Sequence, residues 1–577
     1  MSLEDRRRTL RGRSVSRRAL LTAAGSAGVG AAGLALVGCG DDDEEAADAV
    51  AETAEPATPA EPAPEPVVEE PAGPTMGGVL REGYSRGSER MDPIAALWWD
   101  ASSFPAVHET LFALDENAEN LPLLAAGWEI SDDGLSWNFQ MREGLTFHTG
   151  KPINADTVAA SLNWTNNPEG GGFVFLFWGP VESITATPDN TVRIDFSHPF
   201  IGFPTVANNG YATVFDTEIW ERLRGDYGTT GEDGGSGPFT LTEYVPGSHL
   251  EVARWADYQG STLPFHQNQG AAYIDGIRWV DVPEAATRAA ELEEGNIDAL
   301  HAPAFSDVQR LKDNPDLVVI ENVTWGHYFM GLNHERTNLG FNDPRVRLAI
   351  SKAINRQAIV DTVFFGSGEP AYGFVPTADK YYDAGVVEFS QYDPETAASL
   401  LDAAGWSIGS DGIRESGGDR MSFTLPSEPA DEETQVAQAV QEFLRDAGVD
   451  MNFTPTETVF GDIIEGDIDG YFFNNLWHDM IDGTLFWAKG EFIGGCCNGS
   501  RADIPEVNEG YDKWIMAANE EEREAASRQI QLAAAEQVPF LPIVTPANVW
   551  VHNQRVHGWD PLQPNLYPFY QDVWIEA

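Results

Sequence analysis

The chain of 577 residues predicts a mixed α/β protein of several lobes, and three observations carry that reading. Apolar residues alternate with polar ones at Leu135, Trp137, Phe139 and Met141, and again at Val192, Ile194 and Phe196, the period of half-buried strands. Elsewhere they recur at helical spacing, as at Val346, Ala349, Ile350, Ala353 and Ile354 behind Asp343-Pro344. No repeat of roughly 20–50 residues runs through the chain, so it is a globule and not a solenoid. At roughly 100–200 residues per domain, this length allows about three or four lobes. With 42% hydrophobic residues and three Cys, collagen-like and disulfide-stapled classes are excluded.

Residues 1–38 read as an export signal. Arg6, Arg7, Arg8, Arg11, Arg13, Arg17 and Arg18 precede an apolar run from Ala19 to Val37, broken only by Thr22 and Ser26. A membrane span is the alternative. The run is near the lower end of the ~17–25 residues that a span needs, is rich in Gly, and stops at Leu36-Val37-Gly38-Cys39. That ending resembles a bacterial lipobox, which implies cleavage before Cys39 and a diacylglycerol anchor on its thiol. Ser16-Arg17-Arg18-Ala19-Leu20-Leu21 looks like a twin-arginine motif, which implies export of the folded chain.

Residues 39–76 read as a disordered tether. Between 41 and 70 there are twelve Asp or Glu and no Lys or Arg, among Ala, Pro and Thr. Such a segment buries too little apolar surface to offset its ordering entropy, and its like charges stretch it. From residue 71 on, 77 acidic side chains still face 28 basic ones, a surface that repels nucleic acid and anionic lipid. This acidity fits a solvated surface kept soluble by self-repulsion, a salt-rich habitat, or a taste for cationic ligands.

In the body, Asp343-Pro344 and Asp393-Pro394 each supply an N-cap followed by Pro at the first helical position, where its missing donor does no harm. The second helix carries Ala397, Leu400, Leu401 and Ala404 and ends at Gly405. Val436, Val440, Phe443, Leu444 and Ala447 form a further stripe closed by Gly448.

Ala126 to Phe147 reads A-G-W-E-I-S-D-D-G-L-S-W-N-F-Q-M-R-E-G-L-T-F, a hairpin-like strand pair, and runs on through His148-Thr149-Gly150-Lys151-Pro152 to Val158. It resembles the signature of the family-5 extracellular solute-binding proteins, the peptide- and nickel-binding subunits of ABC importers. Thr146 departs from it. Further matches follow in family order: Gly237-Pro238-Phe239, Tyr244-Val245-Pro246-Gly247, Asp257-Tyr258-Gln259-Gly260, Gly295-Asn296-Ile297-Asp298, Gly331-Leu332-Asn333, Asn342 to Arg347, and Ala353-Ile354-Asn355-Arg356. Read from the residues, most of these build scaffold: Arg142-Glu143-Gly144 a strand end and turn, Gly237-Pro238 a rigid corner. The resemblance implies a type II periplasmic-binding-protein fold of two main hinged lobes plus an extra inserted lobe. Lobe I would hold 77–112, 225–325 and 546–577, lobe II 113–224, and lobe III 326–545. Ligand would be enclosed between lobes as they close.

Peptide binders of this family carry a Trp, then an Asp that pairs with the ligand's α-ammonium, then an acidic residue and Pro. The stretch Asn474 to Gly483 keeps the carboxylate spacing in Asp479 and Asp482, but Trp477 stands one residue closer and Gly483 replaces Pro. The resemblance therefore implies Asp479 as ammonium partner; the alternative is a surface or cap aspartate. Trp98, Trp99, Trp325 and Trp487 fall at or near segments that line the cleft in relatives, where indoles sandwich ligand groups; core packing is the alternative. His108 stands where the family has Tyr, either tuning ligand choice or packing. Cys496-Cys497 would make a strained vicinal bridge or remain two thiols. Eleven His form no two-His helix pair or His/Cys cluster, so no dedicated metal site is expected.

The function implied is a lipid-anchored monomeric receptor outside the cell, without cofactor, that captures an oligopeptide or similar solute and delivers it to a permease and ATPase complex. No catalytic residue is nominated, and no G-x-S-x-G, H-E-x-x-H or Walker-type loop is present. The rivals are an exported glycosidase-like hydrolase using paired carboxylates and a sensory or chaperone binding protein of the same fold.

Overall fold

The computed structural model describes residues 73–85, 91–94, 103–115, 119–170, 174–204, 210–323, 326–476, 484, 487–493, 497–559, 561 and 569–576. The principal strands, in chain order, are Val79–Tyr84 (β1), Ala125–Ile130 (β2), Ser136–Met141 (β3), Val181–Thr187 (β4), Thr191–Phe196 (β5), Phe239–Val245 (β6), His249–Arg254 (β7), Gly276–Asp281 (β8), Ala299–His301 (β9), Leu317–Val323 (β10), Gly326–Leu332 (β11), Gly368–Pro370 (β12), Ser422–Ser427 (β13), Asp450–Pro455 (β14), Gly470–Leu476 (β15) and Leu541–Asn553 (β16). The helices used below are Ala155–Thr165 (α1), Pro344–Ala353 (α2), Arg356–Val363 (α3), Pro394–Ala403 (α4), Asp431–Asp446 (α5), Pro505–Met516 (α6) and Glu520–Gln537 (α7).

The two alternating segments read from the sequence are neighbours. β3 pairs antiparallel with β5, setting Trp137 against Ile194 and Phe139 against Val192, inside the four-stranded sheet β2-β3-β5-β4. The inward positions Trp137, Phe139, Met141, Val192, Ile194 and Phe196 are buried and share a core with Val158 and Leu162 of α1. Phe104, Leu111 and Phe112 join that core from before residue 113. Leu135, read as part of the alternation, precedes the strand and is exposed, although its carbonyl still accepts from Phe196 N at 2.9 Å.

Both Asp-Pro helix starts form as read. Asp343 accepts a hydrogen bond from Arg345 N at 2.9 Å, and Asp393 one from Thr396 N at 3.0 Å. α5 buries Val436, Ala437, Val440 and Leu444, and Gly448 just beyond it takes φ 81°. Val436, Val440 and Leu444 each contribute ~1.5–3 kcal/mol by burial.

Ten strands form one sheet, with the path β15-β11-β16-β9-β1-β8-β7-β6 and β10 and β12 also on β16. β16 serves two groups of partners. Its first half pairs with β11 and β12, with Tyr328 and Pro370 each opposite Val544. Its second half pairs with β10, from Val323 opposite Ala547 to Leu317 opposite Asn553, and with β9. The switch falls where β10 ends at Val323 and β11 begins at Gly326.

On either side of that switch lie different cores. Leu80, Leu250, Ile277, Trp279, Trp550 and Val573 form one. Beyond it, β11 and β15 are buried on both faces. Met330, Leu332 and Phe472 enter a core with α2, α4 and α5, while Phe329 and Tyr471 face the opposite way into a core with α6 and α7.

Candidate functional site

β11 starts and β15 stops at the same place, since Gly326 is paired with Leu476. Trp325 precedes Gly326 in sequence and Trp477 follows Leu476. Both lie outside the described residues, as do Asp479, Asp482, Trp98, Trp99, Cys496 and Cys39 with the whole leader and most of the tether.

Next to this point stand polar side chains that the sequence did not single out. Asn474, two residues before the end of β15, directs Nδ2 to Glu428 Oε2 at 3.1 Å and to Glu433 Oε2 at 3.3 Å. Glu428 N donates to Glu433 Oε1 at 2.6 Å. Glu433 belongs to the first turn of α5 yet is fully buried, and burial first, then the neighbouring Glu428, pushes its carboxyl up to about 7. The one sequence signal was its place three residues before Val436 on the buried stripe, where a charged residue is ordinarily read as a first-turn surface group.

Trp487 is buried against Phe329, Phe473 and Tyr471, at ring separations of 5.1, 5.2 and 5.9 Å, and its Nε1 has no hydrogen-bond partner. The His327 ring lies 5.4 Å from that of Phe329. Its Nε2 is likewise without a partner, and burial pulls its pKa down to about 3.

His108 lies 4.7 Å from the Phe104 ring and 6.2 Å from that of Tyr227, with Nε2 3.4 Å from Met91 O. Burial lowers its pKa to about 4, despite the opposing pull of Asp233. Beside it His148 turns both ring nitrogens to acceptors, Nδ1 to Asp233 and Nε2 to Gly237 O at 2.9 Å. The signature residues hold scaffold. Arg142 donates to Leu123 O and Gly260 O at 2.9 and 3.1 Å, and a Cβ on Gly237 would come within 2.6 Å of Ala106 O. Arg142, Glu109, Tyr258 and Gln259 border a small crevice, in which Tyr258 Oη donates to Glu109 Oε1 at 2.8 Å.

Cys497 is disulfide-bonded, with a partner outside the described residues, and takes φ 79°. Among the described residues, Glu243, His249 and Glu251 bring potential metal ligands within 4.8 Å of one another. Sequence spacing hid them because Glu243 and Glu251 meet only through the β6–β7 pairing. Arg278 already bonds Glu251, and His249 Nε2 lies 3.2 Å from Glu243 Oε2, so an ion-pair network accounts for the group.

Residues 120–488 match the family described as bacterial extracellular solute-binding proteins, family 5 Middle. Glutathione-binding protein GsiB of Salmonella typhi is 28% identical over 302 residues, which are 52% of this chain and 56% of that protein. The chain thus spans about half the length of the curated relatives of that kind. Di/tripeptide-binding protein 2 of Pseudomonas aeruginosa is 24% identical over 523 residues, covering 85% of this chain and 93% of its own. Among solved structures, the oligopeptide-binding protein AppA from Bacillus subtilis in complex with a nonapeptide superposes with a TM-score of 0.73 at 20% identity, over 88% of this chain and 100% of that one. NikZ from Campylobacter jejuni in complex with Ni(L-His) gives 0.72 at 18% identity, over 86% and 97%. The sheet architecture, the signature from Ala126 onward and these likenesses agree that the chain belongs to the family-5 bacterial extracellular solute-binding proteins and has their type II periplasmic binding fold.

Proposed function

We propose that this protein is the solute-capturing subunit of an ABC importer, binding an oligopeptide or similar solute between two lobes and presenting it to a permease and its ATPase. Lobe I comprises 77–112, 225–325 and 546–577, lobe III 326–545, and 113–224 is inserted. The observation that carries the reading is the change of partners along β16. β16 pairs with β11 as far as Val544 and with β10 from Ala547 on, and its two ends enter separate cores, as a hinge requires. A ligand that binds the closed form better shifts the population toward it, and no bond is made or broken. In this reading Cys39 carries the lipid anchor and the chain acts as a monomer outside the cell. Among the described residues no helix is long and apolar enough to cross a membrane.

Asp479 pairs with the ligand's ammonium group, with Asp482 beside it, and Trp477, Trp325, Trp98, Trp99 and Trp487 supply the aromatic walls. His108 stands where the family has Tyr and packs on Phe104 and Tyr227. Small-angle scattering tests the hinge. Adding back the solute released from purified protein is expected to lower the radius of gyration, and an unchanged radius at saturation contradicts hinge closure. Asp479→Asn is expected to weaken a cationic solute by at least about tenfold in calorimetry, because a buried charge left unpaired costs several kcal/mol. Unchanged affinity removes Asp479 from the site.

A further inference from the structure

α5 lays Val436, Ala437, Val440 and Leu444 on the core that also holds Met330, Leu425 and Phe472. Glu433 stands one turn earlier on the same stripe, so its carboxylate enters the end of that core and is fully buried. Asn474 shares a β15 face with Phe472 and stands opposite Tyr328. Ser427, the last residue of β13, shares a strand face with Phe423 and Leu425, two members of that core. It is fully buried, and its hydroxyl has no hydrogen-bond partner. Ser427 also directly precedes Glu428, whose N–H is held by Glu433. One end of an apolar core is therefore closed by polar side chains, at the end of β15 where the stretch containing Asp479 begins.

Helix capping does not account for this group. Asp343 caps α2 with its side chain 24% exposed, where water helps to solvate the charge, whereas Glu433 is 0% exposed. No Lys or Arg among the described residues bonds to Glu433; its partners are one backbone N–H and one amide that also serves Glu428. A carboxylate offers about four acceptor sites, and the residue before Glu428 carries the unspent hydroxyl of Ser427. An ammonium brings three donors and a guanidinium five.

We infer that Glu433, together with Glu428, Asn474 and Ser427, forms a second cation-accepting pocket of the ligand site, which takes an ammonium or guanidinium group of the captured solute. The inference rests on the solute-capture reading and adds a charge preference to it. Selection arises because a neutral group of the same size leaves Glu433 buried without a counter-charge, whereas a cation satisfies it.

The test is competitive retention of synthetic tripeptides Ala-X-Ala, with X lysine, arginine, norleucine or glutamate, by the purified full chain, read by mass spectrometry and then by calorimetry. The wild type is expected to hold the lysine and arginine peptides at least about tenfold more tightly than the norleucine peptide. That ratio should fall to within about twofold in Glu433→Gln and stay unchanged in Glu442→Gln, an exposed change on the same helix. Ser427→Ala, which removes a group making no bond in the fold, should leave stability intact and still lower the ratio, so the idea stands or falls even if Glu433→Gln folds poorly. A wild type that retains peptides without regard to charge, or variants that keep the full preference, overturns the second pocket and leaves solute capture standing. Retention of no peptide by the wild type, with no other solute released from it, overturns both.

Discussion

His108, His327 and His334 decide how the fold responds to acid. Burial holds their pKa values at about 4, 3 and 3, against an ordinary 6.5. A folded pKa below the unfolded one contributes stability that is complete above the unfolded value and is lost as pH falls. Three such groups release the folded state with a slope approaching about 4 kcal/mol per pH unit between about pH 6 and pH 4, each proton adding about 1.4. Glu433 works the other way. Its pKa is raised from 4.5 to about 7, so its contribution is present at low pH and lost as pH rises through 7. Glu428 is the charged group facing it, with Asn474 the neutral one. Glu433→Gln is therefore expected to stabilise the ligand-free protein at about pH 8 by up to roughly 3 kcal/mol, and to change little at about pH 4. Urea titrations at the two pH values check this. A loss of stability at pH 8 would mean that the ionised carboxylate is held by more than the two bonds named.

Among the elements, the stretch from α2 to α3 shows how a motif read as scaffold does its work. Arg356, fully buried, donates to Pro542 O at 2.9 Å, Ser351 O at 2.9 Å and Ser390 O at 2.7 Å, tying α3 to the start of β16. Arg347 does the same for Phe341 O and Val538 O. Lysine cannot reproduce a planar fork of donors, so Arg356→Lys is expected to cost about 2–4 kcal/mol in chemical denaturation with little effect on ligand affinity at fixed folded fraction. A cost below about 0.5 kcal/mol would show that water replaces the lost donors. Elements of this kind were legible where local chemistry sufficed. The Asp-Pro caps at 343 and 393, the Gly448 stop and the Trp137 and Ile194 alternations all formed as read. What the sequence could not convey depends on pairing between distant segments. Glu243 meets Glu251 only across a hairpin, β16 exchanges partners midway, and Glu433 meets Asn474 only once β15 lies beside α5. The aromatic and acidic residues nominated for ligand contact came from family likeness. Of these the described residues hold Trp487 and His108, both buried among other rings.

At the scale of the whole molecule, the separate cores and the change of partners along β16 between Val544 and Ala547 are what the proposed closure over a solute draws on. The excess of 77 acidic over 28 basic side chains from residue 71 on keeps such a body away from anionic surfaces and favours cationic solutes at long range, an effect that salt screens. In the proposed function a guest is gripped and handed on chemically intact. Mass spectrometry of the small molecules freed when the purified protein is denatured, repeated after the protein is reloaded with the recovered compound, tests it most directly. One solute per chain is expected, recovered with its mass unchanged after prolonged incubation. A compound that leaves with an altered mass, or that is consumed in excess of the protein, would contradict it.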